Sequence, residues 1–165
     1  MRRALAVAAA LLATSGAAAA EPPRRVASLN LTADELLVEM LPPERLVAVT
    51  RWADDADMSA VAGRVPPGAV RLPRADLERL LALRSDLVVV SEYTDADFLR
   101  LLEKSGLRHH RMRGLDTLAG IRAAILDLGR AMGTEGAAAR IVHLYDAVLG
   151  ELAQLLDDAS RSHVP

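Results

Sequence analysis

The chain has 165 residues, 52% of them hydrophobic and 25% charged, with a formal net charge of −2 and no cysteine. A mildly acidic chain has no electrostatic basis for holding nucleic acid. Without thiols it has neither a disulfide staple nor a thiolate metal site, so it folds by packing alone.

Residues 1–20 read as an address and not as structure. Arg2 and Arg3 give a positive start, residues 4–12 an apolar core, and Ala18-Ala19-Ala20 a small-residue cleavage pattern ahead of Glu21-Pro22-Pro23. The apolar run is too short for a membrane span, and no cysteine follows it to carry a lipid. The expectation is a signal peptide that is removed, leaving an exported chain that starts at Glu21. What remains suits one domain with its own core.

Val26-Ala27-Ser28-Leu29 is the first strand-like run. Thr32-Ala33-Asp34-Glu35 follows as a capping box, opening a helix with Leu36, Leu37, Met40 and Leu41 as its buried stripe. Pro42-Pro43 stops it. Leu46-Val47-Ala48-Val49 is the second strand. A loop leads to a short helix over 76–83, apolar at Leu77, Leu80 and Leu81. Leu87-Val88-Val89-Val90 is the third strand, and Thr94 caps a helix over 95–105 closed by Gly106. Residues 107–112 read as a fourth strand. Asp116 or Thr117 starts a helix with Leu118, Ile121, Ile125 and Leu128 on one face, ending near Met132-Gly133. This alternation predicts an α/β domain, a Rossmann-like lobe over 21–133 with a parallel sheet of about four strands and helices on both faces.

The rest behaves differently. From Glu135 to about Asp157, Ile141, Leu144, Tyr145, Val148, Leu152 and Leu155 recur at spacings of three or four, with no proline. That is one helix of about 23 residues and about 35 Å, within a segment set at 134–158. Residues 159–165 have no apolar period and read as a disordered tail.

Three polar or aromatic clusters come directly after strands: Asn30-Leu31-Thr32, Thr50-Arg51-Trp52-Ala53-Asp54, and Ser91-Glu92-Tyr93-Thr94. In an open parallel sheet, ligands bind at the carboxyl ends of the strands. Aromatic residues are only 2% of the chain, yet Trp52 and Tyr93 both fall in these loops.

The blocks Arg25-Val26-Ala27-Ser28-Leu29-Asn30, Asp34-Glu35-Leu36-Leu37, Arg45-Leu46-Val47-Ala48-Val49-Thr50 and the run from Asp76 to Val89 carry a family likeness in their order and spacing. The chain resembles the N-terminal lobe of a periplasmic substrate-binding protein of an ABC importer, in the cobalamin and iron-siderophore group. The resemblance spans residues 24–152. It implies a periplasmic solute-binding component that is not an enzyme. The implied cargo is a metal chelate (cobalamin, haem or ferric siderophore), and the implied partner is an ABC permease of the inner membrane. It also implies two lobes joined by a long rigid connector helix, which the segment from Glu135 resembles. The expectation from the sequence as it stands is that the second lobe is absent. The expectation is a truncated or frame-shifted product with half a cleft, weak cargo binding and an exposed apolar helix face prone to association. The alternatives are a non-transporting fragment acting as an interaction module, or a protein that binds metal ions directly.

The resemblance also assigns residues. Trp52 matches an aromatic cleft position, and indole offers a broad apolar face with one donor. Glu92 and Tyr93 fall in another cleft-lining loop. Asn30 is placed to hydrogen-bond a ligand or to serve a turn. Arg51 is suited to an anionic group. Glu78 matches the acidic position that docks onto permease arginines, and it is also a favourable acid in a helix first turn.

Other chemistry is poorly served. His109 and His110 point to opposite faces of a strand, and His143 and His163 are isolated, so no metal centre and no bound cofactor is expected. Ser28 and Ser91 have no evident His and acid partners. No glycine-rich phosphate loop follows the first strand. Asp54-Asp55-Ala56-Asp57 lacks the glycine and distal glutamate of a calcium loop.

Overall fold

The computed structural model describes residues 21–162. The signal-peptide reading of residues 1–20 and the last three residues of the expected tail lie outside them. The elements run β1 (Val26–Ser28), α1 (Leu31–Met40), β2 (Leu46–Thr50), β3 (Val70–Leu72), α2 (Leu77–Ala82), β4 (Leu87–Ser91), α3 (Ala96–Lys104), β5 (His109–Met112), α4 (Leu118–Met132) and α5 (Glu135–Ser162).

All five strands are parallel, in the order β3-β2-β1-β4-β5. The chain first steps outward from β1 through β2 to β3, then returns to the other side of β1 as β4. The strand order therefore reverses between β1 and β4, where the loops leaving the two strands diverge and open a crevice.

The three inner strands β1, β2 and β4 are short, dense in apolar residues and almost wholly buried because both faces are covered. Side chains alternate between two cores. Val26, Leu46, Val49, Leu87 and Val89 pack with α1, α4 and α5. Ala27, Val47, Ala48, Val88 and Val90 pack with Leu80 of α2 and Leu102 of α3. β1 and β4 keep the period of two that a strand imposes, whereas in β2 the adjacent Val47 and Ala48 share one core, where the β1–β2 register shifts.

β3 is the strand absent from the sequence reading. Val70-Arg71-Leu72 is three residues long with a charge at its centre, and Pro66-Pro67-Gly68 and Pro73 surround it. As an edge strand it tolerates the charge. It pairs with β2 through Ala48–Val70, Val49–Arg71 and Thr50–Leu72. Arg71 lies over the turn after β2, where Nε and Nη2 donate to Asp54 at 2.6 and 3.0 Å.

Two helix starts differ from expectation by local competition among caps. Asn30, not Thr32, caps α1, accepting from the Ala33 N–H at 3.3 Å. Asp95, not Thr94, caps α3, accepting from the Asp97 and Phe98 N–H groups. In both cases the capping oxygen belongs to the residue just before the first helical position, where it reaches the free N–H groups of the first turn. Asp76 caps α2 and Thr117 caps α4. Leu81 and Leu118, expected on buried faces, are exposed.

α5 has 28 residues, about 42 Å of helix, and continues past the Asp157 end expected from the pattern. Its first turns cross α4 closely: a Cβ on Gly129 would come within 2.3 Å of the Ala138 Cβ. Ala138 and Val142 are buried there, and Arg122 of α4 pairs with Asp146. Beyond this contact the helix leaves the lobe. Leu144, Val148, Leu152, Leu155 and Leu156 are all half or more exposed. No helix among the described residues is long and apolar enough to cross a membrane.

Candidate functional site

A cavity of about 330 Å3 lies at the carboxyl edge of the sheet. Leu29 and Leu31 come to it from the β1 loop, Thr50 and Trp52 from β2, Leu72 and Arg74 from β3, and Thr94, Asp95 and Phe98 from the loop and helix after β4. It thus spans the point at which the strand order reverses, the position where an open parallel sheet leaves room for a ligand.

Trp52 sits in a single 3-10 turn, Arg51–Asp54, that begins as soon as β2 ends. The indole is 39% exposed and lies in the cavity wall. The Arg51 guanidinium stacks on it, 4.0 Å from the ring centroid. Such stacking holds a cation over the negative face of the ring. The wall offers an apolar surface, the aromatic rings of Trp52 and Phe98 and the Arg74 side chain, with the Arg51 guanidinium stacked on the indole. These groups suit a large flat ligand that carries an anionic edge.

The remaining sequence candidates are distributed differently. The Asn30 side chain is occupied as the cap of α1. The Glu92 carboxylate accepts from the Gly114 N–H at 3.1 Å, and its carbonyl accepts from Arg111. It fastens the loop between β5 and α4, and is not in the cavity wall. Tyr93 is 83% exposed, its N–H donating to the Ser91 hydroxyl at 3.1 Å. It too lies outside the wall. Glu78 stands exposed in the first turn of α2. Because α2 follows β3, that turn faces the same edge as the cavity.

Asp34, which the sequence reading places only in a capping box, lies behind the cavity wall. It is completely buried, and its Oδ2 accepts from the Thr50 N–H at 3.1 Å and the Thr50 hydroxyl at 2.6 Å. The neighbouring Ser28 hydroxyl donates to the Asn30 carbonyl at 3.0 Å, and Oδ1 is left without a partner. Burial pushes the Asp34 carboxyl up to about 6, against the lowering effect of the adjacent Ser28 hydroxyl and of the Thr50 hydrogen bonds, and the Glu35 charge adds to the rise. A signal was present in the sequence: Asp34 stands three before Leu37 and seven before Leu41, on the buried stripe. Arg74 and Phe98 line the cavity without a sequence signal. Arg74 follows the strand that could not be read, and Phe98 carried no polar signal.

Two further electrostatic groups border the site or the far sheet edge. Hydrogen bonds from Arg71 hold the Asp54 carboxyl below its usual range. Burial lowers the His110 imidazole, partly opposed by Asp127, whose Oδ2 is 3.6 Å from Nε2. Among the described residues no group of three or more His, Cys, Asp or Glu is placed to hold a metal ion.

No family model and no curated protein matches the chain. Solved structures do. A periplasmic heme binding protein from Pseudomonas aeruginosa superposes with a TM-score of 0.69 at 22% identity, over 86% of this chain and 50% of that one. The periplasmic vitamin B12 binding protein of Vibrio cholerae gives 0.65 at 21%, over 81% and 51%. A possible iron-binding, periplasmic solute-binding protein from Staphylococcus epidermidis gives 0.65 at 16%, over 84% and 52%. The fold is that of one lobe of these periplasmic binding proteins. The chain spans about half the length of each structure it matches. The cavity edge of the sheet is the end at which Trp52 and Glu78 both stand, and α5 is the long helix that leaves the layer of α1 and α4.

Proposed function

We propose that this chain is a ligand-capturing lobe of a periplasmic solute-binding component of an ABC importer, and that its cargo is a metal chelate: haem, cobalamin or a ferric siderophore. The carrying observation is the cavity wall at the carboxyl edge, where Trp52 lies under Arg51 and beside Arg74. An indole plane suits a flat macrocycle, and guanidinium groups suit carboxylate or other anionic substituents. The fold is one found in proteins named for such cargo.

The role is capture and presentation, with no covalent step. The cavity's about 330 Å3 is at the small end of ligand pockets, which run from about 300 to 1,000 Å3. It therefore grips one edge of a large chelate, and affinity for the isolated lobe is modest. Glu78, exposed at the same edge, contacts arginines of the inner-membrane permease. Residues 1–20 direct export and are removed, leaving Glu21 at the new terminus.

The sole tryptophan of the chain supplies the assay. Haemin, cyanocobalamin and a ferric hydroxamate are titrated separately while Trp52 emission is followed. Saturable quenching by at least one of them supports the reading. Linear, non-saturating quenching by all three rejects it.

A further inference from the structure

We infer that Asp34 is a positioning residue for the cleft: its buried carboxylate grips the end of β2 through Thr50 and so fixes the Arg51–Trp52 platform in the cavity wall. The inference rests on the reading of that cavity as a ligand site.

A buried carboxylate is costly unless it is well bonded, and an apolar residue at this place on the stripe would pack at lower cost. Asp34 forms no ion pair among the described residues. Both of its hydrogen bonds go to one residue, Thr50, and neither serves its own helix. Thr50 is the last residue of β2, lines the cavity and directly precedes Arg51. The 3-10 turn that carries Arg51 and Trp52 has no side-chain cap of its own at its N-terminal end. Asp34 supplies the missing anchor from α1. At the other end, Asp54 is held from β3 by the two bonds from Arg71 at 2.6 and 3.0 Å. Ala53 between them is buried. The platform is thus held at both ends by side chains of other elements, the Asp34 carboxylate of α1 and the Arg71 guanidinium of β3, while the indole stays partly open. Holding a binding group in place before the ligand arrives lowers the ordering cost of capture.

The test compares Asp34→Ala, Asp34→Asn and Thr50→Val with the wild type. Two readouts are used: ligand-free Trp52 emission with acrylamide quenching, and haemin affinity. Asn keeps an oxygen acceptor for Thr50, so it is expected to retain wild-type emission and affinity. Ala removes the grip. It is expected to shift Trp52 emission to the red, raise quenching, and weaken haemin binding about tenfold, with far-ultraviolet circular dichroism unchanged. Thr50→Val removes the hydroxyl bond alone, so it is expected to give a smaller change in the same direction. It stands in if the Ala variant does not fold. A folded Ala or Val variant with wild-type emission and quenching overturns the inference, because a purely structural bond would lower stability without moving the platform. If the wild type binds no haemin, the proposed function falls, and the ligand-free emission still decides the role of Asp34.

Discussion

Asp34→Asn offers the sharpest test of the electrostatics beneath the cleft. In the folded protein, burial raises the Asp34 carboxyl from its ordinary 3.8 to about 6. The unfolded chain ionises it first, so the folded state holds the proton over a wider range than the unfolded state. The group's contribution to stability is fully present below about pH 4 and is lost as pH rises through about 6. The span from 3.8 to about 6 corresponds to about 3 kcal/mol. Asp54, held low by Arg71, contributes in the opposite sense and only as pH falls below its ordinary 3.8. The informative quantity is therefore the difference between Asp34→Asn and wild type. Asn cannot ionise, so its stability relative to wild type should rise by about 3 kcal/mol between pH 4 and pH 7. Urea unfolding at half-unit pH steps, followed by circular dichroism, measures it. Parallel pH profiles for the two proteins would refute the argument that the charge is buried without adequate compensation.

Trp52→Ala should leave the fold intact, since the indole is partly exposed, and weaken haemin binding roughly fivefold to tenfold through loss of the aromatic plane; titration calorimetry checks the affinity and scanning calorimetry the heat of unfolding. Glu78→Ala should leave haemin affinity unchanged and cost no more than about 1 kcal/mol in stability. Its effect should appear in association with the permease in membrane vesicles, and loss of haemin binding with normal permease association would reverse the assignment. The exposed apolar face of α5 should drive concentration-dependent association. Leu152→Lys with Leu155→Lys should reduce the mass seen by light scattering without lowering the melting temperature, because both side chains stand clear of the lobe.

The sheet was readable because fully covered parallel strands leave dense apolar runs. Leu46-Val47-Ala48-Val49 and Leu87-Val88-Val89-Val90 have few other interpretations once helix-period segments alternate with them. The period after Glu135 was equally legible, since a projecting helix keeps its pattern over many turns. β3 was not, because an edge strand of three residues with a central arginine has no periodicity to show. Trp52 stood out as a rare residue directly after a strand. Asn30 and Glu92 drew notice by the same rule, yet the structure gives one to capping α1 and the other to bracing the β5–α4 loop. A polar residue after a strand has local backbone groups to satisfy as well as a ligand, and sequence does not say which it serves. Asp34 is the reverse case: an acid on an apolar stripe, with the sequence pattern of a helix start, that reaches across to β2.

The central claim is that the carboxyl edge of the sheet is where cargo is held. Haemin carries a paramagnetic ferric ion, so amide spectra of the 15N-labelled protein report its location directly. The account predicts selective broadening at Leu29 and Leu31, at Thr50 and Trp52, at Leu72 and Arg74, and at Thr94 and Phe98, the backbone around the cavity. Broadening centred instead on His109, His110 and Asp127, or along the exposed face of α5, would contradict it.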